Sequence, residues 1–232
     1  MDSHTIQHIA FIPDGNRRWA KARHMPQFLG HKFGFELVQK MYDWCLDYKI
    51  KYVTFFLFST ENWNRSSEEV SGLFDLFRSM FGDVLERAQK QKIRIMHIGD
   101  VEKLPLDVAR LITELSEATK ENNELTVIAA ISYSGRDEIV RAVKKISRDV
   151  AAGKITCDDI DEKSFENYLD TQNIPPPDIL VRTGEQRISN FLLWQLAYSE
   201  IFFVNKLWPD FNREDLQNIL EGYSHRKRKY GK

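Results

Sequence analysis

Short apolar runs alternate along the chain with longer segments in which apolar residues recur every three or four positions. Six runs have the length of buried strands: His8–Ile12, Tyr52–Phe58, Ile93–Ile98, Thr126–Ile131, Ile179–Val181 and the shorter Ile201–Val204. Strands that alternate with helices are typical of βα units on a parallel sheet. The pattern therefore predicts an α/β fold, a single domain over residues 1–232 with a central, mostly parallel six-stranded sheet flanked by helices.

Helical periodicity fills most of the intervals between these runs. The predicted helices are Phe33–Tyr48, Glu68–Gln91, Leu106–Thr119, Asp137–Val150 and Asp215–Tyr223, with a further start near Arg17 and an apolar helix at Phe191–Leu196. Three aromatic residues, Phe74, Phe77 and Phe81, share one stripe of the second helix. They predict either core packing or a wall for an apolar ligand.

Composition excludes some classes of protein but does not indicate an activity. The 232 residues are 42% hydrophobic with a net charge of −1, so the total charge does not indicate a nucleic-acid-binding protein. Cys45 and Cys157 fit neither a disulfide scaffold nor a zinc site. Residues 1–7 lack the features of a secretory signal, and no apolar run approaches the ~20 residues that span a bilayer. We expect a cytoplasmic protein, with peripheral contact at the endoplasmic reticulum or plasma membrane left open.

Polar and charged residues follow each of the first five predicted strands. These loops are Asp14–Arg18, Ser59–Arg65, Gly99–Asp100, Ser132–Arg136 and Arg182–Arg187. Ligands of open parallel sheets bind outside the carboxyl ends of the strands. Glycine, serine, asparagine, arginine and carboxylates at those ends predict a phosphate and metal site.

The first loop, Asp14-Gly15-Asn16-Arg17-Arg18, combines a glycine turn with the start of a helix. Glycine permits close approach of a ligand, and helix-start N–H groups attract anions. An aspartate there would repel phosphate unless a cation lay between them, so Asp14 is a candidate Mg²⁺ ligand. The alternative is an Asp N-cap beside a turn. The two arginines favour the functional interpretation.

The loop after the fifth strand offers a second phosphate site through Arg182, Arg187 and Ser189, because arginine binds phosphate oxygens in bidentate fashion. Glu185 and Glu200 are candidate second carboxylates for the metal. The alternative is that these charged residues are ordinary surface ion pairs.

The loop after the second strand, Ser59 to Arg65, is either a mobile lid that carries Asn62 and Arg65 to reacting groups or a turn with a packed Trp63. His31 either donates to a phosphate or is structural. The basic residues 226–232 form a solvated tail or reach a phosphate.

Longer segments carry a family resemblance. They are His8–Ala20, Gly30-His31, Phe58–Arg65, Tyr133–Arg136, Ile188–Gln195 and Leu207–Phe211, in order over His8 to Gly231. Together they closely resemble the cis-prenyltransferase family, which includes undecaprenyl diphosphate synthase and dehydrodolichyl diphosphate synthase. The resemblance implies a Mg²⁺-dependent homodimer that joins isopentenyl diphosphate to an allylic diphosphate such as farnesyl diphosphate. The implied product is a Z-polyprenyl diphosphate for polyprenol or dolichol-type carriers, grown in an apolar tunnel.

The resemblance also implies residue roles. Asp14 would hold Mg²⁺ with Glu200, and Asp14, Arg18 and Asn62 would be catalytic, with Asn62 implicated in proton removal. Glu69 would be an acid near the tunnel. The implied substrate-binding residues are Gly15, Asn16, Arg17, Trp19, Arg23, His31, Ser59, Trp63, Arg65, Arg182, Arg187 and Ser189.

Four departures from the family pattern stand out: Pro13 replaces Met, Gln27 replaces Arg, Arg182–Arg187 is one residue shorter, and Lys229-Tyr230-Gly231 replaces Arg-x-Gly. Leu57 and Leu125 would face the tunnel, and their bulk predicts a short-to-medium product. The alternative function is a non-catalytic regulatory subunit of a heteromeric cis-prenyltransferase. Retention of Asp14-Gly15-Asn16 and Arg182-Thr183-Gly184 favours the enzyme.

Overall fold

A computed structural model describes residues 6–225 of the chain, so the predictions for residues 226–232 lie outside the described residues. Its six strands are all parallel and form one sheet in the order β3-β4-β2-β1-β5-β6, which confirms the predicted α/β class. The strands are β1 (His8–Ile12), β2 (Tyr52–Ser59), β3 (Ile93–Ile98), β4 (Leu125–Tyr133), β5 (Ile179–Thr183) and β6 (Glu200–Val204). No described helix is long and apolar enough to cross a membrane.

Helices cover both faces of the sheet, as the periodicity predicted. They are α1 (Asn16–Ala22), α2 (Gln27–Asp47), α3 (Ser67–Lys90), α4 (Leu106–Ala118), α5 (Gly135–Ala151), α6 (Glu162–Glu166) and α7 (Arg213–Ser224). Local chemistry accounts for several starts: the Ser66 hydroxyl accepts the Glu69 N–H at the start of α3, and Asn212 caps α7 by accepting the Asp215 N–H.

The predicted helix at Phe191–Leu196 is wrong, because this segment is a series of buried turns. Ser189, Asn190 and Leu192 have positive φ angles of 47°, 63° and 44°, which a right-handed helix cannot contain. Asn190 anchors the turns to α5: its carbonyl accepts the Gly135 N–H at 2.7 Å and its side-chain oxygen accepts the Arg136 N–H at 3.0 Å. The apolar residues of this segment are buried because the turns pack against the rest of the fold, and not because they form one face of a helix.

The strand order places a topological switch beside β1. The chain leaves β1 to form β2 on one side and later returns to form β5 on the other side. The loops after these strands therefore diverge and leave a crevice at the carboxyl edge of the sheet, where ligands of such folds bind.

The core beneath this crevice is aromatic. Phe11 of β1 and Phe55 of β2 stack with centroids 5.4 Å apart, and Trp208 and Phe211 pack against them. Trp208 is fully buried, and its indole N–H donates to the Gly34 carbonyl of α2 at 2.8 Å. This bond ties α2 to the segment before α7 and holds one wall of the crevice.

A buried histidine makes the fold sensitive to acid. The His8 ring lies between the Pro175 carbonyl, 2.6 Å from Nδ1, and the Thr54 hydroxyl, 2.7 Å from Nε2. A neutral ring protonated at Nδ1 satisfies both groups. Burial lowers the pKa of His8 from 6.5 to about 4, although the Pro175 hydrogen bond and the charge of Asp178 oppose the shift.

We expect acidification to destabilise the protein through His8. As the pH falls below 6.5, His8 becomes protonated in the unfolded chain, whereas in the folded chain it stays neutral until about pH 4. The free energy of unfolding should therefore drop between these values, by about 2 kcal/mol from pH 7 to pH 5 for this one group. Urea unfolding at both pH values measures the drop. His8→Gln should reduce it, whereas substitution of the exposed His24 by Gln should leave it unchanged; equal drops in both variants would contradict the assignment.

Candidate active site

A cleft of about 640 Å³ opens at the carboxyl ends of β1, β2 and β5. Most of the residues predicted from the sequence line it together: Asp14, Gly15, Asn16, Arg17, Arg18, His31, Ser59, Asn62, Arg65, Arg182, Arg187 and Ser189. The loops after β3 and β4 do not line it, because those strands occupy the far side of the sheet. Three of the predicted loops, rather than all of them, therefore form the site.

Asp14 is held at the floor of the cleft by its neighbours on β5. The Thr183 hydroxyl accepts the Asp14 N–H at 3.1 Å and donates to the Asp14 carbonyl at 2.8 Å. The Arg182 guanidinium, only 3% exposed, donates to Asp14 Oδ2 at 2.9 Å. Arg182 also donates to the Ser189 hydroxyl at 2.6 Å and to the Arg187 carbonyl. The carboxylate is thus fixed in orientation while one third of its side chain stays accessible from the cleft.

The remaining arginines at the floor share two carboxylates. Arg18 lies 3.5 Å from Asp14 and 3.2 Å from Glu185, which also pairs with Arg187 at 3.3 Å. The cleft lining as a whole carries five arginines against three carboxylates, so it has an excess of positive charge. Such a cleft attracts polyanions and can exchange internal ion pairs for phosphate oxygens.

Among the described residues that line the cleft, three buried polar atoms lack a protein partner. One is Arg182 Nε at the floor, and the other two lie in the wall. They are Asn16 Oδ1 and His31 Nε2, both buried. Burial, together with the nearby charge of Arg65, lowers the pKa of His31 to about 4, although Glu69 opposes the shift. A neutral imidazole supplies one N–H donor and no charge at neutral pH. Unpaired buried polar atoms are costly, so these two are suited to contact a bound ligand or water.

The segment after β2 forms a short 3₁₀ helix (Thr60–Asn64) over the cleft. Asn62 Oδ1 accepts the Ser59 N–H at 3.1 Å and closes this turn. Arg65 and Arg17 both bind the Glu69 carboxylate, at 2.8 Å and 3.0 Å. Glu69 therefore bridges α1 and the 3₁₀ helix across the mouth of the cleft. Glu69 was predicted only as an acid near the tunnel, and Glu61, which accepts from Asn190 at 2.9 Å, was given no role in the site.

Three predicted substrate-binding residues lie elsewhere. Trp19 donates its indole N–H to Asp210 at 2.6 Å, and Arg23 pairs with the same carboxylate at 3.0 Å. Trp63 packs on Phe58 and donates to the Ser132 hydroxyl at 3.1 Å. None of the three lines the cleft, because each side chain is engaged by its own partner. For Trp63 the packed-turn interpretation matches the structure.

The structure does not bring Glu200 to Asp14. Glu200 begins β6 opposite Ile179, which is level with Ile9 of β1, whereas Asp14 follows the far end of β1. At about 3.3 Å per residue the two carboxylates are separated by on the order of 10 Å along the strands alone. Within the described residues no group of three histidine, cysteine or acidic side chains could hold a metal ion.

An apolar cavity of about 70 Å³ adjoins the cleft between α2, α3, α4 and the sheet. Phe35, Val38, Leu57 and Phe77 line both spaces. Of the aromatic stripe, Phe77 and Phe81 line the cavity, whereas Phe74 is buried against Phe58. Leu57 therefore borders both the cleft and the cavity. The prediction for Leu125 is wrong, because it is fully buried in the core at the start of β4 and lines neither space.

Sequence prediction missed the apolar lining from α2, namely Phe35 and Val38. Their spacing of three was visible in the sequence, but it equally indicated packing against the sheet. Trp208 also lines the cleft and was predicted only as part of a family segment.

Comparison with known proteins identifies the family. Residues 12–231 match the family described as putative undecaprenyl diphosphate synthase. An isoprenyl transferase of Thermotoga maritima is 46% identical, over 97% of this chain and 96% of that protein. The ditrans,polycis-undecaprenyl-diphosphate synthase ((2E,6E)-farnesyl-diphosphate specific) of Micrococcus luteus is 41% identical over 97% and 91%.

A solved structure shares both the fold and the sequence. Lavandulyl diphosphate synthase from Lavandula x intermedia, crystallised with dimethylallyl diphosphate, superposes with a TM-score of 0.95 at 38% identity, over 98% of this chain and 99% of that one. The sequence is related over nearly its whole length, the fold is shared, and the cleft is rich in arginine. The chain therefore belongs to the cis-prenyltransferase family.

Proposed function

We propose that this prenyltransferase condenses isopentenyl diphosphate with an allylic diphosphate in the cleft and releases a Z-prenyl diphosphate. The observation that carries the proposal is Asp14, fixed by Arg182 and Thr183 among five arginines, with an apolar cavity opening from the same space. The arginines suit two diphosphates, and the apolar wall suits the hydrocarbon chains.

The donor set at the floor suits Mg²⁺. Mg²⁺ takes oxygen ligands and is commonly held by one or two carboxylates together with substrate phosphates. Asp14 presents an accessible carboxylate, so it would hold the ion with diphosphate oxygens completing the shell. When bound, the ion would neutralise charge on the diphosphates. Glu200 of the same chain is not part of this site.

The chain's own residues would stabilise the leaving group. The C–O bond at C1 of the allylic substrate breaks, and the diphosphate departs with the electron pair. Arg18 and Arg187, now paired with Glu185, would transfer hydrogen bonds to the departing oxygens. The buried His31 N–H lies in the wall of the cleft and would add a neutral donor.

The second substrate would supply its homoallylic double bond. C4 of isopentenyl diphosphate bonds to C1 of the allylic group, and a proton passes from C2 to the departed diphosphate as the new cis double bond forms. Asn62 is held by the Ser59 N–H and lines the cleft, so we assign it to orienting the substrate. An amide is not among the usual general bases, so we do not assign proton removal to Asn62.

The apolar cavity supports a short product. At about 70 Å³ it is much smaller than the 640 Å³ cleft, so we expect a long chain to fit only if α3 moves away from the sheet. Leu57 stands in the shared wall, between the cleft and the cavity. We propose a short-to-medium product and not one of dolichol length.

We expect Leu57→Ala to lengthen the product. Removing the side chain joins the cavity more widely to the cleft, so a longer chain fits before release. Chromatography of products from radiolabelled isopentenyl diphosphate measures the distribution. Leu104→Ala is the control, because Leu104 is buried nearby but lines neither space. Unchanged lengths in Leu57→Ala, or equal lengthening in both variants, would contradict the proposal.

We further propose that the enzyme acts as a homodimer through the β6 edge of the sheet. β6 is an edge strand, and Phe203 on it and Tyr198 just before it are exposed. Exposed aromatic residues on an edge strand suit a self-complementary interface. Sedimentation of the native chain and of Phe203→Ser measures the oligomeric state, and two identical monomeric profiles would contradict this assignment.

Turnover by the purified chain alone tests the central proposal. Isopentenyl diphosphate, an allylic diphosphate and Mg²⁺ should give product, and a chelator should abolish it. Farnesyl and dimethylallyl diphosphates, tried separately, identify the primer. No product with either primer would instead favour a regulatory subunit.

A further inference from the structure

The turn between α1 and α2 has an unusual surface. Residues 21–28 form eight consecutive exposed positions, and Met25, Phe28 and the nearby Phe33 are 38%, 61% and 40% exposed. Single exposed apolar residues are normal on a protein surface. Three large ones within nine positions form a patch that needs a separate explanation.

The charges around this patch have one sign. Residues 15–35 contain five lysines or arginines and no aspartate or glutamate. Lys21 and Lys32 are both exposed, and Lys32 lies one helical turn from Phe28 on α2. Among the ion pairs of the described residues, Arg17 and Arg18 are engaged at the cleft by Glu69, Asp14 and Glu185, and Arg23 is engaged by Asp210. Lys21 and Lys32 are therefore the cations of this stretch that remain available to a ligand.

Aromatic contacts join the two helices into one surface. The Phe33 ring of α2 lies 5.2 Å from the Trp19 ring of α1, and the Arg23 guanidinium lies 4.2 Å above the same indole. The turn also borders the candidate active site, because α1 supplies Asn16 to the cleft and α2 supplies His31.

We propose that the α1–α2 turn docks this protein on an anionic lipid surface. Aromatic side chains enter the boundary of a bilayer, and lysines beside them are attracted to acidic headgroups. The complementarity of charge selects an anionic membrane over a neutral one. Docking there would orient the cleft toward the bilayer, in which an amphiphilic product dissolves. This inference concerns the surface and stands apart from the proposed roles of the cleft residues.

Vesicle sedimentation of the full chain tests the proposal. The chain should bind vesicles of phosphatidylcholine with phosphatidylglycerol, should bind pure phosphatidylcholine much more weakly, and should be released by salt. The double variant Phe28→Ser/Lys32→Gln should bind at least ~10-fold more weakly, of which the lysine contributes about fivefold. Its turnover of a short allylic substrate without vesicles should be unchanged.

The matched control is Val143→Ser/Lys144→Gln on α5. Val143 is 49% exposed with Lys144 beside it, but α5 does not line the cleft. This variant should bind vesicles like the native chain. Equal losses in both variants, equal binding to neutral and anionic vesicles, or a change in oligomeric state with Phe28→Ser/Lys32→Gln would overturn the proposal. The last result would assign the patch to a second copy of the chain.

Discussion

Replacing Asp14 by asparagine is expected to lower kcat/KM at least about a thousandfold, a loss of roughly 4 kcal/mol of transition-state stabilisation. The amide keeps the shape and can still accept from Arg182, so the fold should lose no more than about 1–2 kcal/mol of stability. What disappears is the negative charge that would hold the cation. Steady-state kinetics and thermal unfolding on the same preparation separate the two effects.

Diphosphate binding with and without Mg²⁺ sharpens this test. Native protein should bind inorganic diphosphate more tightly when Mg²⁺ is present, and Asp14→Asn should lose that gain while binding metal-free diphosphate at least as well. Glu185→Gln is the control, because Glu185 lines the same cleft and shares Arg18 with Asp14. Glu185→Gln should still bind inorganic diphosphate more tightly when Mg²⁺ is present. An Asp14→Asn protein that still shows this gain would refute the assignment of Asp14 as the metal ligand.

Gly30→Ala is expected to damage both stability and activity. A Cβ at Gly30 would lie 2.1 Å from the Asn16 carbonyl oxygen and 3.1 Å from Ala20 Cβ. Because the oxygen belongs to the backbone, α1 and α2 must move apart. Overpacking of this kind costs about 1–3 kcal/mol, or more where the backbone resists. Asn16 would shift with α1, and a displacement of about 1 Å costs on the order of a hundredfold in rate.

Gly82→Ala provides the matched control. Gly82 lies in α3 with nothing within 4 Å of the added Cβ. Alanine is the better helix former by about 1 kcal/mol, so this variant should be at least as stable as the native chain and fully active. Gly30→Ala should therefore lose both stability in urea and kcat/KM, whereas Gly82→Ala should keep both. Similar behaviour of both would show that the close contact of α1 with α2 does not position Asn16.

The sequence alone determined the alternation of strands and helices, because periodicity is a local property that survives in the linear chain. It also determined the chemistry that follows each strand, since Asp14, Asn62 and Arg182 stand within four residues of the ends of apolar runs. The family resemblance rests on the same segments, and the comparisons confirm it.

Only the tertiary structure decided which of those loops meet. β1 lies between β2 and β5, so the loops after these three strands border one cleft, while the loops after β3 and β4 fall outside it. Strand order depends on pairings between distant residues, which periodicity does not encode. The same reason explains why three predicted residues lie outside the cleft: Trp19 and Trp63 have partners elsewhere in the chain, and Glu200 lies toward the opposite edge of the sheet. Residue type indicated the chemistry, and long-range packing determined its location.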